Sequence, residues 1–204
     1  MEEDTRLSVI KMYTTAIENQ KRRLKELIEA KAFLSRSPLT DKPFILASGD
    51  ESWVFFDCKQ VTQNSEGISL VAEIFFEMVK DYHLDAIGGI QTGAIPICTA
   101  VAQLSYLKGL PIQAFWVREK RKDHGTMNKI EGGLQPNSRV VVVDDVTTKG
   151  TSVLKAIDEV LEINCQIAAV ITLVDREAGA RDIIEQTGLK YRSIFKKSDF
   201  KVQA

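Results

Sequence analysis

Asp144 and Asp145 stand side by side behind four valines, Val140 to Val143, and ahead of a short polar run, Val146-Thr147-Thr148-Lys149-Gly150-Thr151-Ser152. Adjacent carboxylates can accept hydrogen bonds from neighbouring hydroxyls, such as those of a sugar. The threonine hydroxyls, the backbone N–H groups around Gly150 and an incipient helix N-terminus suit a phosphate monoester. The run lacks the GxxxxGK[ST] spacing of a P-loop and the GxGxxG of a dinucleotide fingerprint. An isolated acidic pair would more often cap the following helix. Between a buried strand and a threonine-rich turn, a sugar-phosphate site is the better reading.

Two further segments offer complementary chemistry. In Arg118-Glu119-Lys120-Arg121-Lys122-Asp123-His124-Gly125-Thr126, five basic residues fall within seven positions, with Gly125 as a hinge. By itself such a run is more often a solvated basic loop. Brought over a polyanionic leaving group such as pyrophosphate, it would stabilise developing charge and exclude water. The stretch GGIQTGAIPI, beginning at Gly88, supplies small residues where backbone must approach a ligand closely.

Apolar spacing says what must position these segments. Leu7, Ile10, Tyr13, Ile17, Leu24, Leu27, Ala30 and Leu34 predict a long amphipathic helical region, ended by Pro38, Asp41 and Pro43. Two short strands are predicted over 44–47 and 54–56, joined by SGDES, and a helix over 67–79. The chain then alternates. Strands are predicted over 86–90, 112–117, 140–143, 168–174 and 191–195, and helices over 95–107, 151–163 and 178–186. Residues 118–133 read as a long loop. Apolar runs separated by helices predict an α/β fold with a parallel sheet covered on both faces. The three segments above follow strands of that sheet, where open α/β folds bind ligands, and should converge.

The 204-residue chain suits one domain, with residues 1–43 as an N-terminal addition to a core over 44–204. A net charge of −1 speaks against coating nucleic acid. Its sequence has no apolar run long enough to span a membrane, and the acidic start MEEDTRLSVIKMY lacks a signal-peptide core. Cys58, Cys98 and Cys165 are widely spaced without CxxC, which fits a reducing cytoplasm and no zinc site.

The aliphatic strand, two acids and threonine-rich loop resemble the phosphoribosyl pyrophosphate (PRPP) motif of type I phosphoribosyltransferases. The resemblance implies that Asp144 and Asp145 hold the ribose hydroxyls and that Thr147, Thr148, Lys149, Gly150 and Thr151 cradle the 5-phosphate. REKRKDHG resembles the flexible loop of orotate phosphoribosyltransferases, matching at Arg118, Lys122, Asp123, His124 and Gly125, with Glu119 where the family usually has lysine. This implies PRPP contacts from Arg118, Lys122 and His124, catalytic roles for Lys122, His124, Asp144 and Asp145, and a homodimer in which Lys122 reaches the neighbouring site. Gly89, Gln91, Thr92 and Gly93 fall in the family's pyrophosphate loop, where some members carry lysine at the position of Gly93.

FILASGDESWVFFD resembles the family's orotate stretch, with Val54 for tyrosine and Ala47 where well-known members have lysine. The resemblance places Phe55, Phe56, Thr148 and Arg176 around orotate, Arg176 pairing with its carboxylate in a bidentate geometry suited to guanidinium. The implied fold is a type I phosphoribosyltransferase-like parallel sheet flanked by helices, with a small N-terminal helical and strand hood. The implied activity converts orotate and PRPP to orotidine 5'-monophosphate and pyrophosphate in de novo pyrimidine biosynthesis, in the cytoplasm. Mg2+ would be carried mainly by PRPP, with no dedicated protein metal site. The alternatives are a phosphoribosyltransferase for another nucleobase and a non-catalytic PRPP-sensing regulator.

Overall fold

The computed structural model describes residues 2–46, 49–119 and 129–201, with side chains from residue 12 onward. Helix α1 (Glu2–Lys31) is charge-rich, and its last turns carry the buried stripe Leu24, Leu27 and Ile28. The chain then forms β1 (Phe33–Ser35), β2 (Phe44–Ile45), β3 (Glu51–Ser52) and β4 (Val54–Phe56). The predicted pair of strands around SGDES resolves differently. β2 pairs with β3 as its own ribbon, while β4 pairs antiparallel with β1, Phe33 opposite Phe56. Residue 34 therefore lies in a strand, not in the helical pattern predicted for it. Its neighbour Phe33 shows why: the ring packs on Phe56 and Phe200 at 5.1 and 5.6 Å, which an extended backbone allows.

A short helix α2 (Lys59–Thr62) leads into α3 (Ser65–Val79), whose start is capped by Asn64 Oδ1 accepting from Gly67 N at 3.0 Å. Next come β5 (Ala86–Ile90), α4 (Ala94–Leu107), β6 (Gln113–Val117), β7 (Ile130–Gly132), β8 (Arg139–Thr147), α5 (Thr151–Glu162), β9 (Gln166–Asp175), α6 (Ala180–Gln186) and β10 (Tyr191–Lys196). The six-stranded sheet runs β10-β9-β8-β5-β6-β7, parallel except for the edge strand β7. β7 lies inside the stretch predicted as one long loop. Three residues with a single aliphatic side chain carry too little periodicity to be read as a strand.

The four valines explain the layering. Val141 and Val143 pack with α1, α3 and α4, while Val140 and Val142 pack with α5 and α6. Each fully buried valine contributes about 1.5–3 kcal/mol. β8 is longer than its aliphatic run predicted, because its pairing with β9 continues through Asp144 opposite Thr172 to Thr147 opposite Asp175. From β5 the chain moves out to β6 and returns to β8 on the other side. The crevice between the ends of β5 and β8 is therefore the switch point where such sheets take ligands.

Candidate active site

Extension of β8 through the acidic pair puts both carboxylates on the carboxyl end of an interior strand, not in a loop. Asp144 is buried and Asp145 half-buried; Asp144 Oδ1 accepts from Asp145 N at 3.0 Å, and Asp145 Oδ1 from Val146 N at 2.9 Å. Burial, and then the charge of Asp145, push the proton affinity of Asp144 well above the usual carboxylate range. Burial also raises Asp145, opposed first by the ammonium of Lys59 at the start of α2. Such a pair is costly to ionise unless a ligand donates to it or a cation neutralises it.

Glycines make room for this arrangement. A Cβ on Gly93 would overlap the Asp145 carboxylate, lying 2.6 Å from its Cγ, although the φ of −64° at Gly93 suits any residue. A Cβ on Gly89 would overlap Val143 O and sit 3.0 Å from Ala94 Cβ. Gln91 is half-buried and Thr92 exposed beside them, so the turn after β5 faces the acidic pair.

The phosphate-type turn occupies residues 148–150, closed by Gly150 at φ 77°. No side chain caps α5, so its first-turn N–H groups remain available to an anion. Thr147 is buried, Thr148 half-buried, and Lys149 exposed with its Nζ 2.6 Å from Asp50 Oδ2. The buried hydroxyls of Thr147 and Tyr191 each lack a hydrogen bond of good geometry among the described residues. Burial and the charge of Asp175 raise the Tyr191 phenol, so it stays protonated.

Because β8 and β9 end in register, Arg176 follows directly beside Thr147, its N–H donating to Thr147 O at 2.9 Å. Arg176 is 6% exposed, and its Nη2 donates to Ser52 Oγ at 2.9 Å and Val54 O at 2.8 Å. Among the described residues no carboxylate pairs with it, and burial lowers its proton affinity. A buried guanidinium is seldom left without an anion. Phe55 is half-buried with its ring 5.6 Å from Phe44, so it borders the same region. The Phe56 ring instead packs on Phe33 and Phe200, away from that region.

The basic segment is anchored by Arg118 N donating to Lys129 O at 2.8 Å and by the pairing of Val117 with Ile130. Arg118 Nε lies 2.9 Å from Glu131 Oε1. Lys120, Arg121, Lys122, Asp123, His124 and Gly125, like Ala47, lie outside the described residues. Three site contributors escaped sequence reasoning: Lys59, ion-paired with Asp57 at 3.0 Å and with its charge felt at Asp145; Ser52, bonded to Arg176; and Asp50, paired with Lys149. Asp50 and Ser52 lie within the stretch FILASGDESWVFFD and Lys59 just after it, but only the fold supplies the partners that give them a part in the site.

Among the described residues no group of three His, Cys, Asp or Glu gathers to hold a metal, and no helix is long and apolar enough to cross a membrane. A family profile for the phosphoribosyl transferase domain matches residues 57–201. An orotate phosphoribosyltransferase of Bradyrhizobium diazoefficiens is 44% identical over 183 residues, covering 87% of this chain and 94% of that one. The crystal structure of the Mycobacterium tuberculosis orotate phosphoribosyltransferase with Fe(III) dicitrate superposes with a TM-score of 0.76 at 32% identity, over 90% of this chain and 99% of that one. Its complex with PRPP gives 0.71 at 30% identity, over 88% and 98%. Sheet order, site glycines, acidic pair and sequence likeness thus agree, and the chain belongs to the phosphoribosyl transferases and, within them, to the orotate phosphoribosyltransferase family.

Proposed function

We propose that the chain transfers the 5-phosphoribosyl group of PRPP to orotate, giving orotidine 5'-monophosphate and pyrophosphate in pyrimidine synthesis. The bond from the anomeric carbon to pyrophosphate breaks as the bond to the pyrimidine nitrogen forms. The observation that carries the choice of base is Arg176: a buried guanidinium at the sheet edge, fixed by Ser52 and Val54, with no acidic partner among the described residues. The orotate carboxylate supplies that partner, whereas uracil, adenine and hypoxanthine have none. Thr148 and Phe55 border the same space, with the Phe56 backbone behind.

The remaining roles follow from position. Asp144 and Asp145 accept hydrogen bonds from the ribose hydroxyls, and the turn 147–151 with the uncapped start of α5 takes the 5-phosphate. Gly89, Gln91, Thr92 and Gly93 let the pyrophosphate approach the backbone. Arg118, Lys122 and His124 close over it, stabilising leaving-group charge and excluding water. The anomeric carbon gains oxocarbenium character, so positioning and electrostatics supply the rate. Mg2+ would travel with PRPP and neutralise diphosphate charge; the adjacent Asp144 and Asp145 carboxylates, one buried and one half-buried, are the protein feature that fits a nearby cation. A cytoplasmic homodimer, with Lys122 serving the neighbouring site, completes the reading.

The test is a base panel. Purified protein with PRPP and Mg2+ should consume orotate and leave uracil, adenine and hypoxanthine untouched. Arg176→Ala should lower orotate kcat/KM by on the order of a hundredfold or more, since it strips the partner from a buried carboxylate. Wild-type preference for a base without a carboxylate would overturn the proposal.

A further inference from the structure

The hairpin β2–β3 has two residues in each strand and is hydrogen-bonded to no other strand of the described fold. A two-stranded ribbon is marginal alone, so contacts at its two ends set its position. At the stem, Arg176 donates to Ser52 Oγ at 2.9 Å, and the Phe44 ring packs 5.6 Å from Phe55 with the Arg36 guanidinium 3.9 Å above it. The tip carries Asp50, whose carbonyl accepts from Leu46 N at 2.9 Å, fixing its backbone to the ribbon. Asp50 Oδ2 lies 2.6 Å from Lys149 Nζ, and Lys149 belongs to the turn proposed to take the phosphate. A lysine there would ordinarily serve the phosphate as a point charge. Here its ammonium is engaged by the hairpin.

We propose that Asp50 and Lys149 form a positioning pair that seats hairpin β2–β3 against the phosphate turn and so closes the base-binding end of the site. The proposal rests on the reading of Arg176 as the base-recognition residue. The hairpin then spans two cations: Arg176 at its stem, which meets the base, and Lys149 at its tip, which carries the register of the phosphate turn. Both side chains of the outer pair are about half exposed, 45% for Asp50 and 50% for Lys149, so the pair is screened by salt and its effect is modest.

Steady-state KM values for orotate and PRPP would be measured at low and high salt for wild type, Asp50→Asn, Asp50→Glu, Asp50→Lys, Lys149→Met and the Asp50→Asn/Lys149→Met double variant. Asp50→Asn should raise the orotate KM roughly two- to fivefold at low salt, the range of an exposed pair, without raising that for PRPP. Asp50→Glu should stay near wild type, and Asp50→Lys should be worse than Asp50→Asn. In the Lys149→Met background, Asp50→Asn should add nothing.

An unmoved orotate KM in Asp50→Asn and Asp50→Lys would overturn the proposal. So would an Asp50→Asn effect that persists undiminished beside Lys149→Met. A lower KM for PRPP in Asp50→Asn would also refute it, because Asp50 would then only withhold Lys149 from the phosphate. Wild-type use of orotate and its loss in Arg176→Ala test the base reading separately. If those hold while Asp50→Asn is silent, the positioning pair alone falls.

Discussion

Replacing Gly93 with alanine separates what the site needs from what the fold needs. The backbone at Gly93 is ordinary right-handed helix, so alanine meets no conformational penalty there. Its methyl group would land on the Asp145 carboxylate, 2.6 Å from Cγ. The carboxylate must swing aside by more than an ångström, giving up its bond from Val146 N, worth about 0.5–1.5 kcal/mol net. Displacement also ends the hydrogen bond to ribose proposed for it, a charged bond worth roughly 1.5–3 kcal/mol, which is a ten- to hundredfold loss in kcat/KM for PRPP. Moving a half-buried carboxylate toward water returns part of the folding cost, so thermal stability should fall little. Gly89→Ala is the control: its methyl group meets Val143 O, a backbone atom that cannot swing aside. Overpacking of that kind costs about 1–3 kcal/mol, or roughly 2–4 °C of Tm per kcal/mol for a chain of this size. Calorimetry and PRPP-dependent rates on both variants test the scheme. Gly93→Ala with wild-type kcat/KM for PRPP would refute it. Gly93→Lys should fail for the same steric reason.

Other expectations concern the charges around the same carboxylates. Because the folded-state proton affinities of Asp144 and Asp145 are raised, the free protein holds its protons more tightly than the unfolded chain does. The contribution of this pair to stability is then greatest below the unfolded carboxylate pKa of about 4 and declines as pH rises toward the raised folded values. If ribose hydroxyls and Mg2+ meet the pair as proposed, they favour its ionised form and PRPP binding should release protons; calorimetry in buffers of unlike ionisation enthalpy would show none if the idea is wrong. Asp144→Asn removes a buried acid, so it should raise Tm while weakening PRPP binding, and a drop in Tm would count against this account. Lys59→Ala should raise the KM for PRPP several-fold by removing the ammonium that favours ionised Asp145, an effect that should shrink at high salt. Lys122→Ala and Asp145→Asn, each inactive alone, should partly recover activity when mixed as a dimer, and no recovery would place Lys122 in its own subunit's site.

How far the sequence discloses this molecule depends on whether the cause of a feature is local. The aliphatic runs of β5, β8 and β9 are buried on both faces, so composition alone marks them as parallel strands, and the helices between them follow from their spacing. The acidic pair and threonine turn were legible because one short segment carries all their chemistry. Where β8 ends was not legible. Asp144 to Thr147 are strand because Thr172 to Asp175 lie opposite them, a fact about a different part of the chain.

The hood shows the same division. Phe33, Phe56 and Phe200 meet from three distant positions, and that meeting, not local propensity, turns residues 33–35 into a strand. The parts played by Asp50, Ser52 and Lys59 stayed hidden for a related reason: beside their local contacts, each meets a group far along the chain, Lys149, Arg176 and the charge of Asp145 in turn. Gly93 sits between the two cases. Its motif is visible in the sequence, yet the reason for glycine is a carboxylate on another strand. A lysine placed there would therefore bring its Cβ against that carboxylate. The cation that favours ionised Asp145 comes instead from Lys59, off a different helix.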